Sequence, residues 1–82
     1  MLEKKSYPIE NIYVPAKRVK TLNPAKVAEI AEDMLENGQK TPIRLRAGKG
    51  RFVLTEGYHR LEALKALGEE HVEAYLVHAR LH

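Results

Sequence analysis

A chain of 82 residues has room for one domain, and a domain of that size buries only somewhat more than about 60% of the surface its unfolded chain exposes, so its core is thin. There is no cysteine, which excludes a disulfide framework, a thiolate zinc site and a cysteine nucleophile, and fits a reducing compartment. The formal charge of +3 excludes nothing by itself.

The first element predicted is a strand over residues 8–14, Pro8 to Val14, which is β-prone but not cleanly alternating. Asn23-Pro24 then reads as a helix start, with Asn at the N-cap and Pro at the first helical position. Val27, Ile30, Ala31, Met34 and Leu35 recur at helical spacing, and Gly38 supplies a left-handed stop, which predicts a helix over residues 24–37. Pro42 precedes a strand in which Ile43 and Leu45 alternate with Arg44 and Arg46. Residues 47–50 read as a hairpin loop and residues 52–55 as the returning strand, with Ile43, Leu45, Phe52 and Leu54 on the buried face. A second helix is expected over residues 58–67, marked by Leu61, Leu64 and Leu67 and ended by Gly68. A last strand over residues 71–78 sets Val72, Ala74 and Leu76 on one face. The expected order is β-α-β-β-α-β, a compact α+β domain with two helices on a small mixed sheet.

Between Lys17 and Arg60 stand ten Lys and Arg against five carboxylates, and four of those five (Glu29, Glu32, Asp33, Glu36) sit on the first predicted helix. The loops and strands around it are therefore basic, which suits a nucleotide or nucleic-acid partner; a solvated surface of ordinary charge scatter is the equal alternative. No apolar run approaches the roughly 18 residues that span a bilayer, and Met1 to Ser6 offers no signal-peptide core, so a cytoplasmic protein without membrane contact is expected.

The junction Thr55-Glu56-Gly57-Tyr58-His59-Arg60 carries the chemistry. A strand ends, Gly57 turns the chain, and a helix begins at once. The first turn of a helix presents unpaired N–H groups and the positive end of the dipole, and His59 and Arg60 add donors there, so phosphate is the natural guest. The bland alternative makes Gly57 a mere turn, His59 a surface residue and Arg60 the partner of Glu56 or Glu62. Tyr58 would either stack on a base or pack against its own helix. His71, His78 and His82 do not form a metal set, since the odd separation of the first two puts them on opposite strand faces. Ser6 is the only serine and has no nearby histidine, which leaves acyl transfer without support.

Two segments resemble a known family. Residues 27–46, a helix ending in Gly followed by a short loop, Pro42-Ile43 and a strand, resemble the first motif of ParB-type domains. Residues 51–67, with Gly57-Tyr58-His59-Arg60 at their centre, resemble the second motif, which reads Gly-Glu-Arg-Arg in partition ParB proteins and Gly-Cys-His-Arg in sulfiredoxins. Order and spacing match over about residues 8–78 of a stand-alone domain. The resemblance implies the ParB/sulfiredoxin-like fold and a nucleotide of the ATP/ADP or CTP class, with or without magnesium. Carried over by position, the contacts would be Gly57, Tyr58, His59 and Arg60, with Lys40, Thr41 and Pro42 from the loop after the first helix, and Arg18 after the first strand.

Departures from the family narrow the activity. Tyr58 stands where sulfiredoxin chemistry needs a cysteine, so peroxiredoxin repair by that route is excluded. The 82 residues hold no counterpart of the helix-turn-helix DNA reader, third nucleotide motif or dimerisation domain of partition proteins. Small-molecule kinases among the relatives place a catalytic Glu near the end of the first strand, whereas residues 15–18 hold no carboxylate; Glu10 and Glu56 are substitutes out of register, and Glu56 is the weak catalytic candidate. The expectation is a module that binds a nucleotide or another phosphorylated small molecule. The alternatives are a hydrolase, phosphotransferase or nuclease of the same superfamily, and a nucleic-acid-binding accessory protein acting through the basic strands.

Overall fold

In the computed structural model, which describes residues 3–77, one mixed sheet of five strands is accompanied by three helices. The strands are β1 (Lys4–Pro8), β2 (Ile12–Tyr13), β3 (Ile43–Ala47), β4 (Phe52–Glu56) and β5 (His71–Val77). The helices are α1 (Ala16–Val19), α2 (Pro24–Asn37) and α3 (Tyr58–Ala66). The sheet order is β1-β5-β3-β4-β2, antiparallel at β1/β5 and β3/β4 and parallel at β3/β5 and β2/β4.

The strand expected over residues 8–14 is instead two short strands on opposite edges of the sheet, joined by a 3-10 turn at Ile9–Asn11. Pro8 has no N–H to continue a ladder, and the N–H of Ile9 turns to the carbonyl of Glu70 at 2.9 Å. This connection constrains the whole sheet. A 3-10 turn rises about 2 Å per residue, so Pro8 and Ile12 lie roughly 8 Å apart along it. The edges of a flat five-stranded sheet would be about 19 Å apart. The sheet therefore curls until its edges approach, and the Tyr7 ring of β1 meets the Phe52 ring of β4 edge-on at 4.8 Å. The segment Lys4 to Ser6 is exposed, with only Tyr7 buried, which is why its pattern does not announce a strand.

The concave face holds the core. Ile43, Leu45, Leu54, Leu61 and Val72 are almost fully buried, and Met34 and Leu64 join them from α2 and α3. Val27, Ile30 and Phe52 are partly buried against this cluster. Leu35 departs from expectation: it is 73% exposed. Its position lies at the margin of the apolar stripe, and a domain of this size has no further layer to cover it.

α2 begins and ends as its sequence predicts. The Asn23 side chain accepts from the N–H groups of Ala25 (3.1 Å) and Lys26 (3.4 Å), and Gly38 ends the helix at φ 72°. α1 is an addition to the expected order; its four residues bury nothing, so no apolar period marks it. Gln39 then holds the loop after α2. Its amide donates to the Glu73 carbonyl and accepts from the Glu73 N–H, both at 2.9 Å, and so acts as a one-residue strand partner for β5.

Candidate functional site

The site is built around the start of α3. Gly57 has φ 102°, a conformation that side chains resist. A Cβ there would also come within 2.6 Å of Ile43 Cγ2, so the residue is needed for packing against β3 as well as for the turn. Immediately before it, the β3/β4 register slips between Arg44 and Leu45, leaving Thr55 as an extra residue in β4. The Thr55 carbonyl accepts from Arg18 Nη2, and this contact brings α1 onto the strand end.

The two major helix N-termini differ in a way that decides what each can bind. That of α2 is closed by Asn23. That of α3 has no side-chain cap, and its first intrahelical bond runs from the Leu61 N–H to the Gly57 carbonyl at 3.0 Å. The N–H groups of Tyr58, His59 and Arg60 are thus the orphan donors of this helix. His59 joins the two helix starts: its Nε2 accepts from the Asn23 N–H at 3.1 Å. In this bond His59 is an acceptor toward α2, where the sequence suggested a donor. Tyr58 settles between its two alternatives, since its side chain is buried in the core and only its backbone remains at the helix start.

Around this point lies a hollow of about 340 Å³ lined by Arg18, Thr21, Lys26, Ile30 and residues 56–60. A second, of about 400 Å³, is lined by Glu29, Ile30, Asp33, Met34, Gly38, Lys40, Thr41 and Arg60. Ile30 and Arg60 line both, so the two hollows adjoin at the α2/α3 seam. Of the expected contacts, Arg18, Gly57, Tyr58, His59 and Arg60 meet in the first hollow, and Lys40, Thr41 and Arg60 in the second. Pro42 lines neither. Thr21 and Lys26 are additions. Lys26 had a signal in the sequence, because a cation in the first turn of a helix opposes the dipole and calls for a compensating anion.

Charge pairing sorts these residues further. Lys40 is bound to Asp33 at 3.4 Å. Glu56 is held by Arg44 at 3.0 Å, and Glu62 by Lys65 at 3.1 Å, so neither carboxylate pairs with Arg60. Among the described residues, Arg18, Lys26 and Arg60 have no salt-bridge partner. Glu10 belongs to a different hollow, beside Glu69, Glu70 and His71. No group of three or more His, Cys, Asp or Glu able to hold a metal occurs among the described residues; His78 and His82 lie outside them.

Comparison with known proteins places this geometry. Residues 3–81 match the model of the ParB N-terminal domain. Sulfiredoxin from Arabidopsis thaliana superposes with a TM-score of 0.84 at 25% identity, over 94% of this chain and 86% of that one. The truncated chromosome-partitioning protein ParB from Caulobacter crescentus, complexed with CTP-gamma-S, superposes at 0.83 with 18% identity, over 95% of this chain and 46% of that one. A variant of free serine kinase in complex with ADP gives 0.78 at 17% identity, over 90% and 30%. The chain therefore spans less than half of the latter two. Comparison with curated protein sequences finds no significant match.

Proposed function

The chain belongs to the ParB N-terminal domain family, and on that basis we propose that it is a nucleotide-binding module whose phosphates sit at the start of α3. The observation that carries this reading is the uncapped α3 N-terminus, with three orphan N–H groups, facing a hollow in which Arg18, Lys26 and Arg60 lack carboxylate partners among the described residues. Backbone N–H groups and a helix dipole favour phosphate, and three cations supply the charge that a di- or triphosphate needs. Similar folds in complex with CTP-gamma-S and with ADP support the ligand class. ATP, ADP and CTP all fit this chemistry, as does another phosphorylated small molecule. Magnesium would enter on the nucleotide's own phosphates, since the carboxylate lining the α3 hollow, Glu56, is engaged by Arg44.

The same engagement favours binding over turnover. A general base must reach its proton, and Glu56 is 67% exposed while tied to a guanidinium. Peroxiredoxin repair has no nucleophile here, because the chain has no cysteine and the Tyr58 side chain is buried. In this reading the 82 residues act as one domain and work in the cytoplasm, where nucleoside triphosphates are abundant. Among the described residues, no helix is long and apolar enough to cross a membrane.

Thermal denaturation with ATP, ADP or CTP, each with and without magnesium, tests the proposal. A ligand at 100 times its Kd stabilises by about 2.7 kcal/mol, which for a small domain raises Tm by on the order of 10 °C. No shift with any nucleotide at millimolar concentration would overturn it.

A further inference from the structure

The convex face of the sheet, opposite the helices, carries chemistry of its own. Strand register puts Lys4, Tyr75 and Arg44 in one row across β1, β5 and β3. It puts Arg46, Val53 and Tyr13 in the next row across β3, β4 and β2, with Val53 itself buried between the two exposed residues. Their neighbours Ile43 and Leu45 are fully buried against the helices, so Arg44 and Arg46 point the other way and are exposed. Each tyrosine carries an arginine: the Arg51 guanidinium lies 3.9 Å from the Tyr13 ring centroid, and that of Arg44 lies 5.9 Å from the Tyr75 centroid. Lys4, Arg46 and Arg51 have no salt-bridge partner among the described residues.

We propose that this face binds a single-stranded polynucleotide. The Tyr13 ring with the Arg51 guanidinium close over it presents a surface on which an unpaired base stacks, Tyr75 beside the Glu56-paired Arg44 offers a second and looser one, and Lys4 and Arg46 meet the backbone phosphates. Charge complementarity selects the occupant. A protein partner of ordinary composition would leave Arg46 and Lys4 facing no anion, whereas a polynucleotide supplies one phosphate per base. A duplex hides its base faces and could use only the cations. This face touches the phosphate hollow at the Arg44–Glu56 ion pair, since Glu56 lines that hollow, but Arg60 and Lys26 lie on the helices and not on this face.

The test is fluorescence anisotropy with labelled oligothymidylate and oligouridylate of about 15 nucleotides, near the upper limit of what one small domain covers. Binding to either strand that weakens with salt is expected, and the preferred sugar distinguishes DNA from RNA as its source. Tyr13→Ala should weaken binding about tenfold, the scale of one lost stacked base, while Tyr13→Phe retains it. Arg46→Ala should make the plot of log K against log salt shallower by about 0.7 if one phosphate contact is lost. Both alanine variants should keep the nucleotide-induced rise in Tm, so failure here is distinct from failure of the α3 site. Should Tyr13→Ala not fold, Arg46→Glu, at an exposed position, must by itself strongly reduce binding. Three results would each overturn the proposal: no binding at low salt, a duplex bound as tightly as the single strands, or wild-type binding by the Tyr13 and Arg46 variants.

Discussion

Arg60 and Gly57 stand three residues apart and fail differently when replaced. Arg60 lines both hollows and has no carboxylate partner among the described residues, so under the proposed function its role is to meet ligand charge. Arg60→Ala is expected to weaken nucleotide binding by about 1.5–3 kcal/mol, the scale of a hydrogen bond to a charged group, with little change in stability. Arg46→Ala, on the far side of the sheet, is the control and should leave titration calorimetry of nucleotide unaltered. Equal losses for the two would show diffuse electrostatics in place of a site. Gly57 is held at positive φ with its α-carbon against Ile43, so its replacement acts on the fold. Gly57→Val should cost more than about 2 kcal/mol through backbone strain and overpacking, read as a lower urea midpoint without ligand present.

At the scale of elements, side-chain amides do work that the backbone leaves undone. Asn23 caps α2 through its side chain, while its own N–H is taken by His59, so one residue ties the two helix starts together. Asn23→Ala removes the cap and keeps the N–H, and should cost about 1 kcal/mol in chemical denaturation. Gln39 pairs with both backbone polar groups of Glu73 and thereby holds the loop that carries Lys40 and Thr41. Gln39→Ala would leave those groups without their partner, a loss of about 1–3 kcal/mol where water cannot replace it. Hydrogen exchange checks this directly: the Glu73 amide should exchange faster in the variant, and unchanged protection would mean that another group takes over.

For the whole molecule the issue is how little core there is. Native domains are stable by only about 5–15 kcal/mol. Leu64 is 6% exposed at the centre of the core, and Leu64→Ala should cost about 2–5 kcal/mol, enough to populate unfolded protein at room temperature if the domain lies at the low end of that range. Leu35 falls on the apolar period of α2 in the sequence but is 73% exposed, and Leu35→Ala should change stability by less than about 0.5 kcal/mol. Parallel urea titrations of the two variants measure the contrast, and similar losses would place Leu35 in a covered interface.

Local chemistry made α2, α3, β3, β4 and β5 legible from the residues alone. Asn23-Pro24 and Gly38 bound one helix, Gly57 starts the other, and the alternation of Ile43 and Leu45 with two arginines is a strand with one buried face. The uncapped start of α3 was legible for the same reason: an unpaired helix start is a property of a few consecutive residues. Signals that depend on distant partners were not. β1 was hidden because only Tyr7 turns inward, and its partner β5 lies at the other end of the chain. The split at Pro8, the curl of the sheet and the contact of Arg18 with the Thr55 carbonyl follow from closing edges that sequence order keeps apart. Lys26 joined the site, and Pro42 did not, because proximity across the α2/α3 seam is set by helix packing and not by spacing along the chain. The sequence by itself determined which segments fold locally and what chemistry each presents. Tertiary structure decided which charges stay unpaired and which residues share a surface, since both depend on contacts between segments far apart in the chain.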